Sequence, residues 1–241
     1  MSPAEGRPRL VDEYATLVSD RRPARPDARH QRRSWERSLA RWLPAQKDAA
    51  ILDVGCGDGE FLAFLRERGY CRLWGMDSSA EQVDRCLARG MDFVRCHDAL
   101  SIASLPGPEG GWDAVFCLDL LEHLPPDRTV DFLEQARRRL RTGGYLVVRT
   151  PNMAYLAAGW VLYGDPTHRI GYTELSLRAV LGAAGYERVE IRPHWYAVTM
   201  AGRIREAYLF CLHKLVYLIE GRFAPRVPTK NILARAFRGD R

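Results

Sequence analysis

Three glycines within five residues stand directly behind a short apolar run, and this arrangement constrains the chain more than any other. Ala49-Ala50-Ile51-Leu52-Asp53-Val54 reads as a strand, Gly55-Cys56-Gly57-Asp58-Gly59 as a turn, and Phe61, Leu62, Phe64 and Leu65 as the inward face of a helix. Glycine lacks a Cβ, so its backbone can turn sharply and approach a ligand closely. The helix start behind it offers unpaired N–H groups and the positive end of the helix dipole.

The same alternation continues downstream. Strands are expected at 71–77, 93–96, 112–118 and 145–150, with helices at 79–89 and 127–141 between them. The strands are apolar on both faces, the pattern of a parallel sheet covered on both sides. Residues 173–184 predict a further helix, and 187–191 with 195–199 predict two closing strands. The fold class is therefore α/β: a Rossmann-like, mostly parallel sheet of seven strands, with helices on both faces and helical extensions at both ends. We divide the chain into a basic arm and helix (1–48), a central domain (49–200), and an apolar helix with a basic tail (201–241). The arm is expected to hold one short helix around Leu10, Tyr14, Leu17 and Val18. Trp35, Leu39, Trp42 and Leu43 lie on one face of the helix that follows.

A Gly-x-Gly-x-Gly turn is shared by dinucleotide-binding proteins, so three acidic positions carry the distinction. Asp53 ends the first strand, where a carboxylate suits an ammonium and repels a pyrophosphate. Asp77 ends the second strand, 24 residues on, and suits a ribose diol. Asp98 follows the third strand and can accept from an adenine amine. A cation, a ribose and an adenine without phosphate describe S-adenosylmethionine. With these motifs, and with Trp112-Asp-Ala-Val-Phe-Cys-Leu-Asp119, Glu122-His123 and Gly143-Gly-Tyr-Leu-Val-Val148, the chain resembles the class I S-adenosylmethionine-dependent methyltransferases. It most resembles the O-methyltransferase branch acting on quinones and glycans, over residues 51–191. The resemblance implies that Gly55 and Gly57, with Cys56, approach the amino-acid part of the cofactor. It implies that Asp77 holds the ribose, that Asp98 and Ala99 hold the adenine, that the Leu118 backbone meets the methionine end, and that Ser78 also belongs to the cofactor site.

Methyl transfer to a hydroxyl requires alignment and a place for the proton. His168, in Gly164-Asp165-Pro166-Thr167-His168, and His123, behind the fourth strand, are the candidate bases, with Asp165 beside the first; His168 is preferred. Each also has a structural reading, as a loop cap or as a turn tied by Asp165. Asp119, Glu122, His123, Asp165 and His168 offer ligands for a divalent ion, but no spacing demands one, and no metal is assigned. The fourth strand ends in Leu118-Asp119-Leu120-Leu121 rather than an Asn-Pro-Pro-Tyr segment, which argues for oxygen over planar nitrogen as acceptor.

Charge bears on partners. Residues 1–48 carry a net +4, residues 49–199 a net −4 and residues 200–241 a net +6. The basic ends lack the aromatic interleaving of a nucleic-acid surface, so no nucleic-acid partner is expected. They read as solvated tails or as contacts to an anionic surface. The 202–220 helix reads as ordinary core or a homodimer interface, or as peripheral membrane contact ahead of Arg222, Arg226 and Lys230. No apolar run is long enough to span a bilayer, and no signal peptide is expected. The six cysteines form no Cys-x-x-Cys pair and fit reduced, buried thiols of a cytoplasmic protein. The expected function is O-methylation of a sugar hydroxyl in a surface glycan or glycosylated metabolite. A quinone or phenol O-methyltransferase at the membrane and a non-catalytic cofactor-binding scaffold are the alternatives.

Overall fold

The computed structural model describes residues 27–222 and 225–239. The short helix expected around Leu10 to Val18 lies outside the described residues.

The chain enters through α1 (Ala28–Leu39), capped by the Asp27 carboxylate, which accepts from the Arg29 N–H at 3.2 Å. Trp35 and Leu39 are its buried face; Trp35 packs edge-on against Phe61 and beside Phe64, with centroids 5.2 and 5.5 Å away. β1 (Ala50–Val54), α2 (Glu60–Glu67), β2 (Arg72–Asp77), α3 (Ala80–Ala88), β3 (Val94–Cys96), β4 (Trp112–Leu118), α4 (Thr129–Arg139) and β5 (Leu140–Pro151) then follow in the predicted order, except that residues 140–141, expected as the end of the helix, open β5 instead. Every residue of β1 is buried, as a central strand requires. Ala50, Leu52 and Val54 join the core beneath α4 and α6 (Glu174–Ala183), whereas Ile51 joins the opposite core with Trp35, Phe61 and Leu65. β4 repeats this division: Val115 and Cys117 face one core, Ala114 and Phe116 the other. The period of two in a strand thus fills both faces of one sheet.

The seven strands run in the order β3-β2-β1-β4-β5-β7-β6, where β6 is Val189–Pro193 and β7 is Asn231–Phe237. β1 to β5 pair with one another in parallel, and β7 is antiparallel to both β5 and β6. The order reverses between β1 and β4, where loops leave the carboxyl ends of the strands in opposite directions and leave a crevice.

Three expectations are corrected. The second closing strand is not 195–199, which joins no strand and bonds through its backbone to the side chains of Ser38, Arg37 and Glu206; it is β7, from within the predicted basic tail. Pro193 ends β6 with a residue that has no N–H to donate. The alternation in Asn231-Ile-Leu-Ala-Arg-Ala-Phe237 is weak because Ile232, Leu233, Ala234 and Ala236 are all buried between β5 and β6. The late helix, α7 (Met200–Ile219), is not core: it buries only His213, and Ile204, Tyr208, Leu215 and Leu218 lie exposed along one outward stripe. Its inner side bonds to the Ala154 carbonyl through His213 Nε2 and, more distantly, the Tyr217 hydroxyl. The thiols divide as well: Cys56, Cys86 and Cys117 are buried, but Cys71, Cys96 and Cys211 are exposed.

Candidate active site

The glycine turn is held by its neighbours on β2 and α3. Gly55 and Cys56 donate their N–H groups to the Met76 carbonyl at 2.8 and 3.0 Å. The Asp77 carboxylate accepts from the Gly57 N–H at 2.8 Å and from the Ser79 N–H at 2.9 Å. Arg89, at the end of α3, donates to the Asp58 carbonyl at 2.7 Å. Gly55, Gly57 and Gly59 have φ of 71°, 54° and 80°, in the left-handed region that glycine enters without penalty. Their surroundings differ. A Cβ on Gly59 meets Met91 Sδ at 2.6 Å, whereas a Cβ on Gly57 meets nothing within 4 Å. Gly59 is a packing glycine; Gly57 opens onto the crevice.

Asp53 is buried in β1, and its pKa is pushed up to about 8, first by burial, then by the charge of Asp77, against the opposing pull of Arg149. A buried acid with a raised pKa at the end of this strand fits a cationic ligand, which restores the charged carboxylate. Asp77 is raised mainly by burial and drawn back by its two backbone donors. Ser78 is exposed beside it. Asp98 sits behind β3, where its carboxylate accepts from the Leu100 N–H at 2.9 Å, and Ala99 is buried next to it. The Leu118 end of β4 pairs with Arg149 of β5. The expected cofactor residues therefore line the carboxyl ends of β1, β2, β3 and β4, and they fit an adenosyl ligand carrying an ammonium.

Beyond β4 the backbone turns at Asp119, the one non-glycine residue with positive φ among those described, at 59°. Its carboxylate takes a two-pronged bond from the buried Arg149 guanidinium, at 2.9 and 2.6 Å. Arg149 was not among the expected site residues. Its signal is a lone charge inside the apolar run of β5, a position that requires a partner.

Glu122 and His123 follow on a short 3-10 turn. Glu122 is buried and accepts from the Thr150 hydroxyl at 3.0 Å; burial drives its pKa up, and the charge of Asp119 adds to this. The Glu122 carbonyl accepts from the Arg169 and Ile170 N–H groups at 2.7 and 3.3 Å. Those two bonds bring the 164–170 loop, and with it His168, against His123: the ring centroids are 4.8 Å apart. His123 Nδ1 lies 2.8 Å from the Thr167 hydroxyl, which donates to Asp165 Oδ1 at 2.6 Å. His168 Nδ1 lies 2.9 Å from the Leu162 carbonyl, and its Nε2 3.9 Å from Asp165 Oδ2. Burial, and then His168, lower the pKa of His123. The structure thus brings the two alternative candidates, His123 and His168, together with Asp165, and adds Thr167 as the link.

His194 stands near the Arg149–Asp119 pair. Its ring lies 3.4 Å from the Ser34 hydroxyl, and burial with Arg149 pushes its pKa down to about 3. His97 faces the Ser101 carbonyl at 3.0 Å, within its own loop.

The sequence profile of a methyltransferase domain matches residues 28–191, from α1 through β6's central residue. The chain belongs to the methyltransferase domain family. Among solved structures, this methyltransferase domain is similar to an S-adenosylmethionine-dependent methyltransferase from Archaeoglobus fulgidus. The TM-score is 0.64 at 24% identity, covering 88% of this chain and 94% of that one. It is also similar to the Haemonchus contortus phosphoethanolamine N-methyltransferase 2 in complex with S-adenosyl-L-methionine, with TM-score 0.65 and 16% identity over 98% of this chain and 61% of that one. Its sheet is the class I S-adenosylmethionine-dependent methyltransferase fold. Among curated proteins it is 32% identical over 117 residues to a ubiquinone biosynthesis O-methyltransferase of Alkalilimnicola ehrlichii, 47% of this chain and 46% of that protein. It is also 32% identical over 114 residues to the 27-O-demethylrifamycin SV methyltransferase of Amycolatopsis mediterranei, 46% of this chain and 41% of that protein. The chain spans about half the length, or less, of these curated relatives.

Proposed function

We propose that the methyltransferase domain binds S-adenosylmethionine at the β1–β4 crevice and methylates an oxygen acceptor, a sugar hydroxyl of a glycan or glycosylated metabolite. The observation that carries the cofactor is the open space over Gly57, whose N–H the Asp77 carboxylate accepts, in the turn directly behind the strand that carries the buried acid Asp53. Bound there, S-adenosylmethionine supplies an activated methyl group and leaves as S-adenosylhomocysteine. Asp53 favours the ligand's ammonium, Asp77 its ribose hydroxyls, and the Asp98–Ala99 turn its adenine.

Support for a polyhydroxylated acceptor comes from the second half of the site. Asp119, Glu122, His123, Asp165, Thr167 and His168 are all polar, and hydroxyl activation falls to this cluster. An oxygen acceptor agrees with the Leu118-Asp119-Leu120-Leu121 sequence and with the O-methyltransferase similarity. Calorimetry with S-adenosylhomocysteine and with a nicotinamide dinucleotide tests the first half. Labelled methyl transfer to sugar-nucleotide and polysaccharide panels tests the second. Preference for the dinucleotide sinks the proposal, and cofactor binding without transfer to any panel leaves a scaffold.

A second reading has its own observation. Trp160 and Tyr163 on α5 (Ala158–Tyr163) are each 84% exposed, in the segment that also carries the His168 partner Leu162, and the outward stripe of α7 is apolar. Among the described residues no helix is long and apolar enough to cross a membrane. An interfacial contact suits exposed aromatics, an apolar helix face and nearby Arg222 and Arg226. Such a contact favours a lipid-soluble phenol as acceptor. Co-sedimentation with anionic vesicles, with Ile204 and Leu218 changed to serine as the control, tests it; equal binding by both proteins removes the second reading.

A further inference from the structure

Glu122, His123 and His168 each bring one ligand-type atom into a space in which all three lie within 4.8 Å of one another. We propose that these side chains hold a divalent transition-metal ion. The hydrogen bonds behind the rings set their tautomers. A backbone carbonyl can only accept, so His168 Nδ1 carries its proton toward Leu162. The Thr167 hydroxyl gives its hydrogen to Asp165, so toward His123 Nδ1 it accepts. These bonds place a proton on Nδ1 of each ring and leave Nε2 as the nitrogen that can bind a metal. Metal-binding imidazoles are oriented in this way, with the other ring nitrogen donating to a carbonyl or, through a relay, a carboxylate.

The third group is a carboxylate at 1% exposure, fixed by the Thr150 hydroxyl. A buried carboxylate is costly without a cation or a proton. The two segments are already joined by the bonds from Arg169 and Ile170 to the Glu122 carbonyl, so the three ligands stand together without a ligand to assemble them. An ion bonded at ~2.0–2.2 Å to each donor spans this separation after small side-chain shifts. Two imidazoles with one carboxylate suit manganese, cobalt, iron or zinc over calcium or magnesium, which prefer all-oxygen shells. Three protein ligands leave positions open.

The ion's role rests on the O-methyltransferase reading; its binding does not. Two neighbouring oxygens of the acceptor occupy the open positions, and coordination acidifies the hydroxyl, whose proton passes to solvent. The new oxygen–methyl bond then forms as the methyl–sulfur bond breaks, and that electron pair stays on sulfur. The imidazoles serve as ligands and not as proton acceptors.

The test uses the full chain, stripped with a chelator and dialysed. Co2+ is titrated while visible ligand-field absorption is recorded, and Mn2+ and Zn2+ are titrated by calorimetry. One equivalent is expected to bind, with affinity lowered more than ~10-fold in His168→Ala and Glu122→Gln and ~10-fold in Thr167→Val, which keeps the ligands and loses only the relay. Far-ultraviolet dichroism checks each variant; if the ligand variants do not fold, Thr167→Val decides. Absence of saturable binding in the unmodified protein, or affinity unchanged in the folded variants, overturns the site. S-Adenosylhomocysteine binding is measured on the same samples. Metal binding without it sinks the methyltransferase reading and leaves the ion site standing; the reverse sinks the ion site alone.

Discussion

Replacing Gly57 by alanine separates ligand binding from folding, because the new methyl group has no protein neighbour. Nothing lies within 4 Å of the added Cβ, so the ligand-free protein bears only the left-handed backbone at φ 54°. That conformation costs an alanine ~1–2 kcal/mol. For a chain of this size the melting temperature falls by roughly 2–8 °C. In the complex the same methyl intrudes on the packed contact between the turn and the cofactor. Overpacking of this kind costs ~1–3 kcal/mol, or roughly 5- to 150-fold in Kd. Gly59→Ala is the contrast: its Cβ presses on Met91 Sδ at 2.6 Å and Cys86 Sγ at 3.0 Å, inside the fold. Stability there falls by ~2–5 kcal/mol, with strain and overpacking together. The assay is calorimetry with S-adenosylhomocysteine beside thermal unfolding of both variants. Gly57→Ala binding with unchanged affinity would falsify the placement of the ligand over this turn.

Other perturbations follow from the same geometry. Asp119→Ala leaves the buried Arg149 without its carboxylate and is expected to cost ~3–5 kcal/mol, the price of an unpaired buried charge; Arg149→Met leaves only a half-exposed carboxylate and costs less, so urea unfolding that ranks them the other way refutes the account. Asp53, at about 8 in the ligand-free protein, is mostly protonated at neutral pH, and an ammonium ligand expels that proton. Affinity should therefore rise as pH increases toward 8 and fall again once the ligand's own ammonium loses its proton, with calorimetric heats that depend on the buffer's ionisation enthalpy; a flat profile, or one whose rising limb Asp53→Asn leaves unaltered, refutes the pairing. Gly75→Ala drives a Cβ to 2.6 Å from Leu62 Cδ1 and 2.9 Å from Val94 Cγ2, where β2 meets α2 and β3. It should lower stability by ~1–3 kcal/mol in chemical denaturation, and an unchanged midpoint argues against this packing.

The amino-acid sequence by itself determined the local units: the strand, glycine turn and helix that open the sheet, the four parallel strands that follow, and the acidic residues at their ends. These are short-range properties. Apolar periodicity selects strand or helix within a few residues, and glycine alone enters the left-handed turn without strain. The His168 loop was legible as a motif but not as a neighbour of His123. Thr167 and His123 are 44 residues apart and meet only because the Glu122 carbonyl captures the loop backbone. Arg149 is a lone charge in an apolar strand, and its partner is set by tertiary structure, because Asp119 stands in the turn after a different strand. Asn231–Phe237 read as tail because a strand buried on both faces with small residues carries no alternation of its own; its place is decided by the ladders that β5 and β6 present on either side. Contacts between distant segments depend on which surfaces the folded sheet brings together, and only the tertiary structure decides that.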